Sequence, residues 1–280
     1  MSAAIEITDL WVQYGNTVAV RGVDLVVPSG TIFGFLGPNG AGKTSTIRVL
    51  LDLLRPSRGA VKVLGTSVRE GDGSLRGRMG FLPGDLALFP QLTGIETLDL
   101  FAGLYAREPS ERAHVLSSLG FPMGALGRRV ATYSTGMRQM IGLCAAMQHA
   151  PEVLILDEPT SGLDPLVRDA LLELLATARG RGTTIFLSSH VLAEVEACAD
   201  RVALIDRGRL ILEGGVEDLR RACPRRIVLT HRDGRRERIL HRGSIVPFLE
   251  QLDPSDVADI EIRPPGLDEV VRTMLKAGGE

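Results

Sequence analysis

The sequence predicts an α/β fold organised around a phosphate-binding loop, and three observations predict it. Gly37-Pro38-Asn39-Gly40-Ala41-Gly42-Lys43-Thr44 fits G-x-x-x-x-G-K-[ST] and lies between an apolar, β-prone run and a helical pattern. Val153-Leu154-Ile155-Leu156 is an unbroken apolar run ending in Asp157-Glu158, as suits a strand buried on both faces of a parallel sheet. Between the two, Thr93 to Ala150 carries helical periodicity.

Taken in order, Ile5-Glu6-Ile7, Val18-Ala19-Val20 and Val23-Asp24-Leu25-Val26-Val27 alternate or are β-branched, with turn signals at Gly15-Asn16 and Pro28-Ser29-Gly30. They read as an antiparallel sheet leading into the strand Thr31–Leu36. A helix is expected over Thr46–Leu54, and strands over Val61–Leu64 and Met79–Leu82, before Pro83-Gly84-Asp85 breaks the pattern. The insertion reads as helices at Ile95–Tyr105, Ser110–Leu119 and Ser134–Met147, with Ser110 and Ser134 as N-caps. Ser161-Gly162-Leu163-Asp164-Pro165 turns into a helix over Leu166–Ala178, and Thr184–His190 reads as a further strand. Val202–Asp206 and Arg209–Glu213 form a hairpin about Arg207-Gly208.

The texture changes after Gly214-Gly215. A hairpin is expected about Asp233-Gly234, with helices at Ile245–Leu252 and Leu267–Leu275 and a strand at Ile260–Ile262. This is a small α+β appendage of about 65 residues. Nine arginines lie between Arg220 and Arg242, without interleaved aromatics and followed by an acidic stretch, so a solvated sheet face is expected.

The motif residues carry specific chemistry. Gly37, Gly40 and Gly42 let the backbone curl with its N–H groups inward, and the helix start adds partial positive charge. Lys43 brings a compact positive charge to the β/γ-phosphates, and Thr44 a hydroxyl to Mg²⁺. Asp157, at the C-terminal end of a buried strand, lies where open α/β sheets place their ligands and matches an acid that helps hold Mg²⁺. Glu158 projects to the other side of the strand end, where it can orient or deprotonate a water. His190 ends a strand at that same edge. Tyr14, ahead of a turn, can stack on a nucleotide base.

Net charge is −2 over 280 residues with 44% apolar content, which gives no general push toward nucleic acid or anionic lipid. Cys144, Cys198 and Cys223 form no C-x-x-C and read as reduced, as suits the cytosol. No signal peptide is read at the start, and no uncharged apolar run approaches 18 residues, so a chain that does not itself span a membrane is expected.

Over residues 1–214 the chain resembles the ATP-binding cassette (ABC) ATPases. Tyr133-Ser134-Thr135-Gly136-Met137-Arg138-Gln139 looks like their signature, Ser161 to Asp164 like their D-loop, and His190 like their switch histidine. The signature variant and Gly80-Phe81-Leu82-Pro83 are similar to the type-2 export branch, which includes daunorubicin-resistance ATPases. Pro264–Val270 is similar to that branch's small C-terminal domain.

The resemblance implies a P-loop NTPase (RecA-like) core over 1–214 with an antiparallel β subdomain and a helical subdomain at about 84–150, then an accessory domain over 215–280. It implies that ATP is held by Tyr14 and by the loop from Gly37 through Pro38, Asn39, Gly40, Ala41, Gly42, Lys43 and Thr44 to Ser45. Ser134, Gly136 and Asp164 would hold the nucleotide of a second copy. Thr44 and Asp157 would hold Mg²⁺, and Glu158 and His190 would carry hydrolysis. Two copies would close head to tail over two ATP molecules and drive a separate integral-membrane permease from the cytoplasmic face, contacting it through the helical insertion. The cargo would be a drug, antibiotic, lipid or similar compound, and no nucleic-acid partner is expected. Two residues depart from the pattern: Gly84 stands where Gln or Glu is usual, with Asp85 and Gln91 as stand-ins, and Thr135 stands for Gly.

Two other functions compete with the exporter reading. A DNA-repair ATPase would need a long coiled coil, and only about 50 residues separate Gly84 from Ser134; a translation factor would need a second phosphate loop. A non-hydrolysing regulator is at odds with the presence of Glu158 and His190, while Gly84 keeps that reading open.

Overall fold

The computed structural model describes residues 2–70, 73–222, 224–241, 243–253 and 255–263, with Gly266 and Glu269. It divides into two units, Met1–Glu213 and Gly214–Glu280.

In the first unit, alternation of apolar and polar residues produces β1 (Ala3–Tyr14) and β2 (Thr17–Pro28), paired antiparallel with Ile7 opposite Leu25. With β3 (Ile32–Leu36), α1 (Lys43–Leu50), β4 (Arg58–Val63) and β5 (Thr66–Ser67), they complete the N-terminal part. One sheet runs β2-β1-β4-β5 and is separate from the sheet that holds β3. Then follow α2 (Ser74–Gly77), β6 (Met79–Leu82), the insertion helices α3 (Gly94–Tyr105), α4 (Arg112–Ser118) and α5 (Thr135–Met147), and β7 (Val153–Asp157). The unit continues through α6 (Pro165–Gly180), β8 (Thr184–Ser189), α7 (Leu192–Cys198), β9 (Arg201–Asp206) and β10 (Arg209–Gly215). The second sheet has the order β10-β9-β3-β8-β7-β6 and is parallel from β9 to β6.

One core joins the two sheets across α1. Ile5, Ile7, Leu25 and Val27 from one sheet, Ile47 and Leu50 from α1, and Phe33, Phe35 and Phe186 from the other sheet all belong to it. Phe33 and Phe186 stack with ring centroids 6.0 Å apart. Burying such side chains contributes roughly 1.5–3 kcal/mol each. Every residue of β3 and β7 is buried, which is why these strands read as continuous apolar runs rather than alternating ones.

Two boundaries differ from expectation. α1 ends at Leu50 rather than Leu54, because Asp52 turns left-handed (φ 55°) and the Leu53 and Leu54 amides both fold back to the Arg48 carbonyl. Ser110 does not cap α4. Glu111 occupies that position without a side-chain cap; its amide bonds the Gln148 carbonyl and its carboxylate bonds Arg181.

The second unit contains α8 (Val216–Ala222), β11 (Arg225–His231), β12 (Arg236–His241), α9 (Val246–Glu250) and β13 (Val257–Arg263), with sheet order β12-β11-β13. The Asp233-Gly234 turn joins β11 to β12, with Gly234 at φ 86° and Asp233 accepting from the Arg235 amide. The helix expected at 267–275, the Pro264–Val270 segment apart from Gly266 and Glu269, and Cys223 lie outside the described residues. Cys144 and Cys198 are free, and burial pushes both thiols up to about 12. Among the described residues no helix is long and apolar enough to cross a membrane.

Candidate active site

The strand register sets the site. Leu36 pairs with Ser189, and Asp157 with Ser188, so β3, β7 and β8 end together at one sheet edge. The phosphate loop, Asp157-Glu158 and His190 all leave from that edge.

The loop requires small residues. A Cβ on Gly37 would lie 2.4 Å from the Ile205 carbonyl oxygen, and one on Gly42 (φ 114°) would lie 2.6 Å from that of Ala19. The Ala41 amide bonds the Pro38 carbonyl, and Gly42 opens α1, leaving the first amides of α1 to face the cavity. Lys43 is buried; its Nζ donates to the carbonyls of Gly37 (2.7 Å) and Pro38 (3.3 Å) and lies 3.7 Å from Glu158.

Asp157 is 5% exposed. Its Oδ2 accepts from Thr44 Oγ1 at 3.2 Å, and its Oδ1 accepts from the buried Ser188 hydroxyl. Glu158 has a left-handed backbone (φ 52°). Its Oε2 is 2.7 Å from His190 Nδ1. As a carboxylate Glu158 accepts, so Nδ1 carries the hydrogen. Glu158 is half-sheltered, whereas the His190 side chain is 58% exposed. The Tyr14 hydroxyl is 3.3 Å from Ser45 Oγ, which puts the ring beside the start of α1.

A cavity of about 480 Å³ brings together Asn39, Gly40, Gly42, Lys43, Thr44, Ser45, Asp157 and Glu158. Gly84 and Asp85 also line it, and a Cβ on Gly84 would lie 3.4 Å from the Asp157 carboxylate. Gln91 does not line it. Ala19 and Ser188 are site residues that sequence reasoning missed. Each lies far in sequence from the residue it meets, and neither carries a local motif.

Ser134, Gly136 and Asp164 lie outside this cavity. Ser134 caps α5 by accepting from the Met137 amide at 3.1 Å, and Asp164 caps α6 by accepting from the Val167 amide at 3.0 Å. Thr135 abuts the D-loop, since a Cβ on Gly162 would lie 2.8 Å from its methyl group. Gln139 Nε2 donates to the Pro159 carbonyl at 2.9 Å, tying α5 to the segment just after Glu158.

A glycine cradle at a helix start, a buried lysine and a strand-end acid pair beside a histidine define a phosphate-loop nucleotide-binding cassette. The ABC transporter family model matches residues 20–161. The daunorubicin resistance ATP-binding protein DrrA3 of Streptomyces coeruleorubidus is 42% identical over 74% of this chain and 67% of its own length. The bacitracin transport ATP-binding protein BcrA of Enterococcus faecalis is 38% identical, over 78% of this chain and 71% of its own. An uncharacterized ABC transporter ATP-binding protein from a Nostoc species is 38% identical, over 76% of this chain and 64% of its own. The chain thus spans about two thirds of the length of these relatives. A solved ATP-binding subunit of an ABC transporter superposes with a TM-score of 0.73 at 32% identity, covering 78% of this chain and 92% of that one. The cassette MJ0796, solved as a dimer in a post-hydrolysis state with ADP and Pi, shares the fold at a TM-score of 0.69 and 20% identity, covering 76% and 98% of the two chains. The chain belongs to the ABC transporter family, and its cassette is of the ATP-binding type.

Proposed function

We propose that this chain is the ATP-hydrolysing subunit of an exporter. Two copies close head to tail over two ATP molecules and drive a separate integral-membrane permease from the cytoplasmic face. The observation that carries the hydrolytic part is the Glu158–His190 pair, 2.7 Å apart at the rim of the phosphate loop.

The loop amides and Lys43 bind the phosphates. Glu158 accepts a proton as a water oxygen attacks the γ-phosphorus and the bond to ADP breaks. His190 orients the Glu158 carboxylate through Nδ1. The donor set fits Mg²⁺, a hard ion held by a few oxygen ligands together with substrate phosphates. Thr44 and Asp157 supply a hydroxyl and a carboxylate, and no larger metal-binding cluster is found among the described residues. The ion would draw negative charge off the phosphates when bound. Tyr14 would stack on the base. Ser134, Gly136 and Asp164, outside their own chain's cavity, would serve the nucleotide of the second copy.

The export part draws on the relatives named for daunorubicin resistance and bacitracin transport. A groove of about 300 Å³ between the end of α1 and the end of α3, lined by Leu51, Leu53, Phe81 and Tyr105 together with Asp52 and Arg76, suits a largely apolar permease segment. The accessory role of the unit after Gly214 belongs to the same proposal.

The test is Glu158→Gln. It is expected to bind ATP, to lose at least about 100-fold in turnover and to accumulate as a dimer on sedimentation with ATP. Turnover at the wild-type rate would remove Glu158 from the chemistry. Co-purification of this variant from native membranes with a polytopic protein tests the permease.

A further inference from the structure

Glu194 is a buried carboxylate on α7, 7% exposed, that the chemistry above does not use. Such a group is retained at a cost unless it is fully partnered. Its two oxygens go to different segments. Oε2 accepts from the hydroxyl of Thr160, itself 9% exposed, at 2.6 Å. Oε1 lies 3.1 Å from Arg168 Nε in the first turn of α6.

These partners bracket the D-loop. Thr160 enters it two residues after Glu158, and Arg168 follows it four residues after Asp164. The turn between is tight, because the Ser161 amide bonds the Glu158 carbonyl and the Leu163 amide bonds the Thr160 carbonyl. Movement at Thr160 therefore reaches Glu158 directly. Glu194 is also four residues after His190 on a continuous segment, where the Val191 amide is pinned to Ser189 Oγ at 2.9 Å. One side chain thus links the two segments whose tips, Glu158 and His190, meet at 2.7 Å.

We propose that Glu194 is a positioning residue for hydrolysis, acting through Thr160 and Arg168 to hold His190 against Glu158. This rests on the catalytic reading of Glu158 and His190. Misplacing a catalytic group by about 1 Å costs roughly 100-fold in rate. Loss of the link therefore lowers kcat and leaves nucleotide affinity, which belongs to the loop, unchanged.

The experiment compares full-length Thr160→Val, Thr160→Ser, Glu194→Gln and Glu158→Gln. Single-turnover ATP hydrolysis, affinity for a fluorescent ATP analogue and the ¹⁵N shift of His190 Nδ1 are read for each. Thr160→Val is expected to lose roughly 10- to 100-fold in kcat at unchanged affinity, with the Nδ1 shift moving toward that of an unbonded ring. Thr160→Ser restores the hydroxyl and the rate. Glu194→Gln keeps an acceptor for Thr160 and loses the charge facing Arg168, so it falls between. Wild-type rates in both Thr160→Val and Glu194→Gln, with Glu158→Gln inactive, overturn the proposal alone, as does a Thr160→Ser as slow as Thr160→Val. A fully active Glu158→Gln overturns the catalytic reading beneath it. If circular dichroism shows Thr160→Val unfolded, Glu194→Gln decides by the same three readouts.

Discussion

His149 is buried beneath Tyr105, their ring centroids 3.9 Å apart, with Nε2 3.0 Å from the Met79 carbonyl. Burial holds its pKa below the ordinary 6.5, helped by the charge of Arg107 and opposed by the Met79 bond. The unfolded ring takes up a proton near 6.5 while the folded ring resists, so the unfolded state binds more protons below that pH. Stability is therefore full above about pH 6.5 and falls on acidification below it. His149→Phe keeps the stack and should flatten that slope in urea melts taken between about pH 7 and pH 5. A second prediction concerns Gly84, which leaves an opening facing Asp157. Gly84→Gln fills it with an amide and should shift the Mg²⁺ concentration for half-maximal hydrolysis; an identical Mg²⁺ titration would make the position neutral. At this scale the sequence was legible where chemistry is set by neighbours in the chain, as for Lys43 and Thr44. It was silent on Ser188, whose partner Asp157 lies 31 positions away and is reached only through the β7–β8 register.

Elements were legible where their burial is uniform. β7 and β8 are buried throughout; β7 was readable as an apolar run and β8 as a further strand. Helix ends were harder, because α1 is closed by a left-handed Asp52 and α4 is opened by Glu111, whose amide bonds the Gln148 carbonyl, neither of which leaves a local mark. The same long-range packing gives β6 its sensitivity. A Cβ on Gly80 would lie 2.0 Å from the Ala146 carbonyl oxygen, which is backbone and cannot swing aside. Gly80→Ala should therefore cost about 2 kcal/mol or more and lower Tm in a thermal melt, although alanine is otherwise a mild change. An unchanged Tm would mean that α5 can slide on β6.

Among the described residues, the core that joins the two sheets draws on residues from Ala4 to Leu210. A chain ending at Glu213 is therefore expected to fold in a single cooperative transition and to retain ATP affinity; a broad melt without nucleotide protection would contradict this. In the second unit the hairpin was legible from Asp233-Gly234, while α8 was not, lying in a polar stretch with little periodicity. The arginine-rich reading has a physical counterpart in the pairing. Arg226, Arg236, Arg238 and Arg263 share a sheet face with Asp259 and Glu261 of β13, so that face carries charges of both signs.

The contact from Gln139 to the Pro159 carbonyl has a consequence for energy use. In the head-to-tail pair proposed above, the helix bearing Gln139 would face one nucleotide, while the segment bearing Pro159, next to Glu158, would serve the other. On that proposal, a fixed tie between them inside each chain would make the occupancy of one compartment a condition for chemistry in its neighbour. Fuel would then be consumed in pairs, and a pair with a single working compartment would stall rather than run at half speed.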